Sequence, residues 1–153
     1  RGRTERRGRI GVSEEVVVDA NVVVKWFIVE DHSDKALALR DRHVNGEIQL
    51  ASPALLTFEV LNALRHSSIY TTQELKKVAA SLHNYGLSLH EHEGDYAGLA
   101  IEAADENDIT IYDGSYVALA LKLETEFFTA DSRLVKKLKG KYAERTRHIS
   151  EIV

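Results

Sequence analysis

The chain has 153 residues, of which 44% are hydrophobic and 29% are charged, and its formal net charge is −4 at pH 7. This length and apolar content predict one folded domain with a sizeable core and exclude a disordered chain. The sequence also lacks cysteine, a secretory signal and any apolar run of membrane-spanning length, so we expect a soluble, cytoplasmic protein without disulfides, thiolate zinc or a membrane partner.

The N-terminal segment is strongly basic, with five arginines and one glutamate in residues 1–9. We expect residues 1–13 to form a disordered arm or a segment foreign to the natural protein, although a basic arm can also bind phosphates. Residues 14–153 are expected to form a single domain.

Three consecutive valines, residues 16–18, predict the first strand. Burying each of these side chains is worth roughly 1.5–3 kcal/mol, so the strand is expected to be parallel and covered on both faces. Asp19 follows at the carboxyl end of this strand, which is where open α/β sheets bind ligands. Taken alone, Asp19 favours the simpler role of capping the next helix, predicted over residues 22–28.

Helices and strands alternate in the rest of the chain. Ser52 and Pro53 predict the N-cap and first residue of a helix, and Gly140 predicts the end of a basic helix. The expected helices cover residues 34–44, 54–66, 72–85, 95–106, 116–123 and 132–139, and the expected extended segments cover 48–51, 87–91, 109–112, 127–128 and 149–153. This alternation predicts an α/β fold with a parallel sheet covered on both faces, and the helices over 54–66 and 72–85 predict a helical hairpin.

Four acidic residues stand out against this framework. Asp19, Asp113 and Asp131 lie where apolar segments meet helices, so capping explains each of them separately. Glu59 lies inside an apolar helix, where an uncompensated carboxylate is costly to bury. It therefore needs a partner, a metal, water or a proton, unless it projects to solvent through a gap in the apolar surface.

Convergence of these acids would create strong mutual repulsion that a divalent cation could relieve. An all-oxygen ligand set favours Mg²⁺ or Mn²⁺, and such sites are suited to phosphodiester cleavage. Asn21 could hold a water or a phosphate oxygen beside Asp19, or be an ordinary early helix residue.

The same residues carry a resemblance to a known family. The segments that carry it are VVVDANVVVKWF with Asp19, FEVLNAL with Glu59, YDGSYVALA with Asp113 and FFTADSRL with Asp131. In order, context and spacing, residues 16–152 resemble the PIN-domain ribonucleases, and within them the toxins of VapBC-type toxin–antitoxin pairs. Gly114 departs from the pattern, since alanine is more usual there, and we expect it to loosen the start of its helix.

This resemblance implies a three-layer α/β/α PIN-like domain with a central, mostly parallel sheet. It also implies a Mg²⁺-dependent endoribonuclease, a homodimer, and an antitoxin that covers the site. The catalytic and metal-binding residues implied are Asp19, Glu59, Asp113 and Asp131, with supporting roles for Asn21, Asn62, Thr129 and Ser132.

Basic residues crowd the segment after Asp131. Arg133, Lys136 and Lys137 are candidates for binding the RNA backbone, although a solvated helix face explains them as well. His90 and His92 lack a third ligand at a suitable spacing, so we expect surface residues there and not a metal site.

Other functions stay open at this point. The fold could serve RNA processing outside a toxin–antitoxin pair, or a non-catalytic PIN-like module could bind a partner. Aspartyl-phosphate chemistry is disfavoured because it expects an acid at the position of Asn21.

Overall fold

The computed structural model describes residues 14–152. The predicted basic arm, residues 1–13, lies outside the described residues, as does Val153. The described part contains a five-stranded sheet in which every neighbouring pair is parallel and the strand order is β3-β2-β1-β4-β5. Its strands are β1 (Glu15–Val18), β2 (Gln49–Pro53), β3 (Ser88–His90), β4 (Phe127–Thr129) and β5 (Thr146–His148).

Helices flank this sheet and complete the three-layer α/β/α fold, as predicted. They are α1 (Ala20–Val23), α2 (Ser33–Val44), α3 (Leu56–His66), α4 (Thr72–Tyr85), α5 (Tyr96–Asn107), α6 (Ile111–Lys122), α7 (Ser132–Lys137) and α8 (Gly140–Arg145). Short 3₁₀ segments cover Val24–Trp26 and Ile149–Glu151. Within residues 14–152, no helix is both long and apolar enough to cross a bilayer. Helices α3 and α4 pack against each other, as the predicted hairpin requires.

The valine run forms the central strand, as expected. Val17 and Val18 are fully buried in β1, which pairs with β2 on one side and with β4 on the other. Pairing with β4 continues to the next residue, because the backbone N–H of Asp19 donates to the Phe128 carbonyl at 3.0 Å. The sheet thus holds Asp19 at its carboxyl edge.

The helix start predicted at Ser52 and Pro53 is wrong, because both residues belong to β2. The Ser52 hydroxyl is buried and donates to the Val18 carbonyl of β1 at 3.2 Å, so it satisfies the sheet and caps no helix. Pro53 is the last residue of β2, and the next residue, Ala54, donates its backbone N–H to the His90 carbonyl of β3 at 2.9 Å. Helix α3 begins at Leu56.

Helix α6 begins five residues before the expected start at residue 116, so the extended segment predicted over 109–112 is also wrong. Thr110 is its N-cap, and the Thr110 hydroxyl oxygen accepts the backbone N–H of Asp113 at 3.0 Å. Threonine is a common N-cap residue, but the isoleucines on either side of Thr110 suggest a strand instead. Asp113 consequently lies in the first turn of α6.

The C-terminal part also differs from the prediction. The basic helix ends at Lys137, and Gly140 begins α8 instead of only ending the preceding helix. Gly140 has a φ of 51°, a left-handed conformation that favours glycine and lets the chain turn between the two helices. The edge strand expected over 149–153 lies earlier, at Thr146–His148, because residues 149–151 form a 3₁₀ turn closed by Glu151.

Candidate active site

Asp19 is placed by β1 and α1 and is only 7% exposed. It occupies the N-cap position of α1, yet its side chain makes no capping hydrogen bond. Its Oδ2 atom instead accepts the hydroxyl of Thr129, at the end of β4, at 2.7 Å. Capping therefore does not account for the Asp19 carboxylate, which faces the carboxyl edge of the neighbouring strand.

Thr129 is the centre of a hydrogen-bond network between β1 and β4. Its hydroxyl donates a hydrogen bond to Asp19. The same hydroxyl oxygen accepts hydrogen bonds from the Asn21 side-chain amide at 3.3 Å and from the Asp131 backbone N–H at 3.1 Å. The Asn21 side-chain oxygen in turn accepts the Ala130 backbone N–H at 3.0 Å. The Asn21 amide thus contacts both the Thr129 side chain and the Ala130 backbone in the segment that leads to Asp131.

Glu59 lies on α3 and is half-buried. Its Oε1 atom accepts the hydroxyl of Tyr116 at 2.6 Å, and Tyr116 is almost fully buried on α6. The Tyr116 ring also stacks on Phe127 of β4, with ring centroids 5.7 Å apart. A rigid tyrosine therefore holds the glutamate over the central strands.

Asp113 depends on close packing between α5 and α6. A Cβ atom at the next residue, Gly114, would lie 2.5 Å from the Ala100 carbonyl oxygen of α5 and 3.3 Å from the Ala104 Cβ. Gly114 is therefore required for the approach of the two helices. The expectation that it merely loosens the helix start misses this role, since the preceding helix, α5, imposes the constraint.

Asp131 does cap a helix. Its Oδ1 atom accepts the backbone N–H groups of Arg133 and Leu134 at 3.0 and 3.1 Å, which fixes the carboxylate at the start of α7. Capping and a site role are compatible here, because the same carboxylate lines a cavity of about 400 Å³ together with Asp113.

Electrostatics connects the four acids. Burial raises the pKa of Asp19 to about 7, with further increases from the charges of Asp113 and Glu59. Burial likewise raises the pKa of Glu59 and that of Asp113. The negative charge of Asp113 further raises the pKa of Glu59, and the negative charge of Asp131 further raises the pKa of Asp113. Asp113 thus interacts with all three other carboxylates. Glu59 does not lie on the far side of the molecule from the aspartates.

The donor chemistry of this cluster fits a hard divalent cation, because every side chain supplies carboxylate oxygen and burial disfavours the charges of Asp19, Glu59 and Asp113. In residues 14–152, however, no three histidine, aspartate or glutamate side chains are arranged as a ready-made metal site. An ion such as Mg²⁺, which commonly keeps several waters and takes few protein ligands, would not need a closed cage of protein side chains.

The predicted basic residues separate into two groups. Arg133 and Lys137 line the cavity that contains Asp113 and Asp131, and the Lys137 charge opposes the rise in the pKa of Asp113. The Lys137 ammonium also donates to the Asp108 carbonyl at 2.9 Å. Lys136 is exposed but does not line this cavity.

The remaining predicted residues lie at the margins. Asn62 is exposed on α3 in a second cavity, which Glu59 also lines. Ser132 is exposed at the first position of α7. The Nε2 atom of His90 lies 3.1 Å from the Oε1 atom of Glu15, and His92 stacks on Tyr96, so neither histidine joins the acids.

Comparison with known families decides the classification. The family model described as PIN domain matches residues 16–140. The chain belongs to the PIN domain family. The matched segment contains all four acids of the cluster, so the family assignment and the candidate site coincide in this PIN domain.

Among characterised proteins, this PIN domain is similar to Ribonuclease VapC3 of Pyrobaculum aerophilum, with 29% identity over 129 residues that cover 80% of this chain and 94% of the relative. Two solved structures share the fold. One is a toxin–antitoxin complex from Klebsiella pneumoniae, with a TM-score of 0.60, 15% identity and coverage of 77% of this chain and 88% of that chain. The other is a crystal structure from Pyrobaculum aerophilum, with a TM-score of 0.56, 24% identity and coverage of 89% and 92%.

Sequence reasoning missed Tyr116, whose hydroxyl contacts Glu59. A signal was present, because a tyrosine inside an apolar helix needs a hydrogen-bond partner for its hydroxyl. Its pairing with Glu59, 57 residues away, depends on the fold that brings α6 near α3 and could not be read from either segment alone.

Proposed function

We propose that this PIN domain is an endoribonuclease that hydrolyses RNA phosphodiester bonds with Mg²⁺ or Mn²⁺. The observation that carries the proposal is the electrostatic cluster of Asp19, Glu59 and Asp113, three carboxylates whose pKa values burial raises and whose charges repel one another. Repulsion at a buried site is costly to the fold unless a cation offsets it. The similarity to a protein named as a ribonuclease supports the same activity.

The residues that would hold the metal are Asp19, Glu59, Asp113 and Asp131. A divalent ion there supplies activation of water and stabilisation of the negative charge that develops on the phosphate. Thr129 orients the Asp19 carboxylate, Tyr116 orients Glu59, and the first N–H groups of α7 orient Asp131. These contacts fix ligand positions before substrate binds, which reduces the cost of assembling the site.

Positive charge beside the acids would attract the RNA backbone. Arg133 and Lys137 line the same cavity as Asp113 and Asp131, so phosphates can approach an otherwise negative site from that side. Lys136 lies outside the cavity and would add only to the general field around α7.

We further propose that the protein is the toxin of a toxin–antitoxin pair, acts in the cytoplasm and forms a homodimer. A structural neighbour described as a toxin–antitoxin complex and the VapC name of the relative support this role. A short gene for a DNA-binding partner immediately beside this one, whose product inhibits RNA cleavage, is the expected finding. Robust cleavage without any such inhibitor would favour a role in RNA processing.

The nuclease proposal is tested with single variants of the four acids. Asp19→Asn, Glu59→Gln, Asp113→Asn and Asp131→Asn should each remove Mg²⁺-dependent cleavage of single-stranded RNA while the circular dichroism spectrum stays native. Exposed Asp105→Asn on α5 serves as the matched control and should cleave normally. Full activity in the four site variants would reject the assignment, and a wild-type protein that binds RNA without cleaving it would instead be a binding module.

A further inference from the structure

A second cavity adjoins the acid cluster through Glu59, and neither Arg133 nor Lys137 lines it. It has a volume of about 550 Å³ and lies between α3 and the first turn of α6. Its lining consists of Leu55, Phe58, Glu59, Leu61, Asn62 and Tyr112. Among residues 14–152, neither lysine nor arginine lines it, so the described lining does not suit a phosphate group.

Two aromatic side chains are unusually open to solvent in this cavity. Phe58 is 78% exposed and Tyr112 is 65% exposed. Helix α3 already buries its other face through Leu56, Val60 and Leu64, so Phe58 contributes little to the core. Exposed apolar surface of this kind is typical of a binding site.

The two aromatics are tied by sequence to the candidate acids. Phe58 directly precedes Glu59 on α3, and Tyr112 directly precedes Asp113 on α6. Consecutive helical residues point about 100° apart, so each acid can face the cluster while the adjacent aromatic faces the neighbouring surface. The apolar cavity is consequently continuous with the candidate active site through Glu59.

We propose that Phe58 and Tyr112 form a stacking subsite that holds an unpaired base of the RNA next to the scissile phosphate. The proposal rests on the ribonuclease function proposed above. Proteins recognise single-stranded RNA by stacking splayed bases on aromatic rings and by hydrogen bonds to base edges. The Asn62 amide at the cavity wall offers both a donor and an acceptor for such an edge.

The charge distribution favours a base over other occupants. The basic cavity, with Arg133 and Lys137, is lined by Asp113, and the aromatic cavity is lined by Glu59, so the two cavities border the acids through different residues. A single strand that crosses the acids can therefore place its phosphates in the basic cavity and a base in the aromatic cavity. Stacking also supplies affinity that the negative charge of the acids does not oppose.

Binding is measured with a short single-stranded oligoribonucleotide that carries the fluorescent base 2-aminopurine. The protein is used in the Asp19→Asn background with Mg²⁺, so that the RNA stays intact. Phe58→Ala and Tyr112→Ala should each weaken binding roughly 5- to 100-fold and reduce the quenching of 2-aminopurine. The slope of log affinity against log salt should stay unchanged, because no phosphate contact is lost.

Conservative variants and a surface control sharpen the test. Phe58→Trp and Tyr112→Phe should keep near wild-type affinity, since a ring remains available for stacking. Ile101 on α5 is 53% exposed and does not line the cavity. Ile101→Ala should therefore leave RNA affinity and 2-aminopurine quenching unchanged.

Three results would overturn the inference. RNA binding that is unaffected by both alanine variants rejects the subsite even if the protein is a nuclease. Unaffected RNA binding together with weaker binding of an inhibitory protein partner, or with a lower oligomer mass in light scattering, would make the cavity a protein interface. Failure of the protein to bind any RNA would overturn the inference together with the nuclease proposal.

Discussion

Asparagine in place of Asp19 should make the metal-free protein more stable at neutral and alkaline pH. The wild-type carboxylate is 7% exposed, and burial together with the charges of Asp113 and Glu59 raises its pKa from 3.8 to about 7. Ionising this group inside the fold is therefore unfavourable. Asparagine has nearly the same shape, carries no charge, and keeps an oxygen that can accept the Thr129 hydroxyl.

The size and sign of the effect follow from this pKa. A tenfold change in proton affinity is worth about 1.4 kcal/mol, so the ionised carboxylate costs the fold roughly 4 kcal/mol once the pH is above 7. A group whose pKa is raised in the folded state destabilises the fold as the pH rises through that value. This cost is absent below about pH 4 and grows by roughly 2–3 kcal/mol between about pH 5 and about pH 8.

Urea denaturation in EDTA, at about pH 5 and about pH 8, measures the difference in the free energy of unfolding between Asp19→Asn and wild type. We expect the advantage of the variant to increase with pH. Asp105→Asn, at an exposed position on α5, should show no such increase. An Asp19→Asn protein that is no more stable than wild type at the higher pH would refute the reasoning.

Three further predictions concern the supports of the site. Gly114→Ala should lower the melting temperature, because the new methyl group meets the Ala100 carbonyl. Gly98→Ala has open space around the new methyl group and should increase the free energy of unfolding by about 0.5–1 kcal/mol. Equal effects of the two substitutions would contradict this reasoning. Lys137→Glu should raise the Michaelis constant for RNA and reduce the slope of log affinity against log salt by about one. Lys136→Glu, outside the cavity, should have a smaller effect, and identical slopes for the two variants would reject the role of Lys137. Tyr116→Phe removes a donor to ionised Glu59, so the acid limb of the pH–rate profile should move to higher pH; an unmoved limb would disprove the contact's role.

Local patterns predicted the centre of this fold well. A run of three valines has few alternatives to a buried strand, and the strand does occupy the middle of the sheet. Glu59 was identified because a carboxylate in an apolar helix needs an explanation, and the structure supplies Tyr116 and the nearby aspartates.

The errors arose where a short signal has two meanings. Serine followed by proline is typical of a helix start, but Ser52 serves the sheet through the Val18 carbonyl, a contact between residues 34 positions apart. The isoleucines near Thr110 suggest a strand, although the threonine caps α6. Likewise, nothing in the sequence beside Gly114 indicates the Ala100 carbonyl of α5 that excludes a side chain there.

Calorimetric titration of Mn²⁺ into the wild-type protein and into Asp113→Asn tests the central claim most directly. Asp113 is the acid that interacts electrostatically with the other three, so its charge should matter most for assembling a cation site. We predict saturable Mn²⁺ binding by the wild type and a loss of at least tenfold in affinity in the variant. Equal binding by the two proteins, or none by the wild type, would contradict the proposal that these carboxylates together hold a divalent metal.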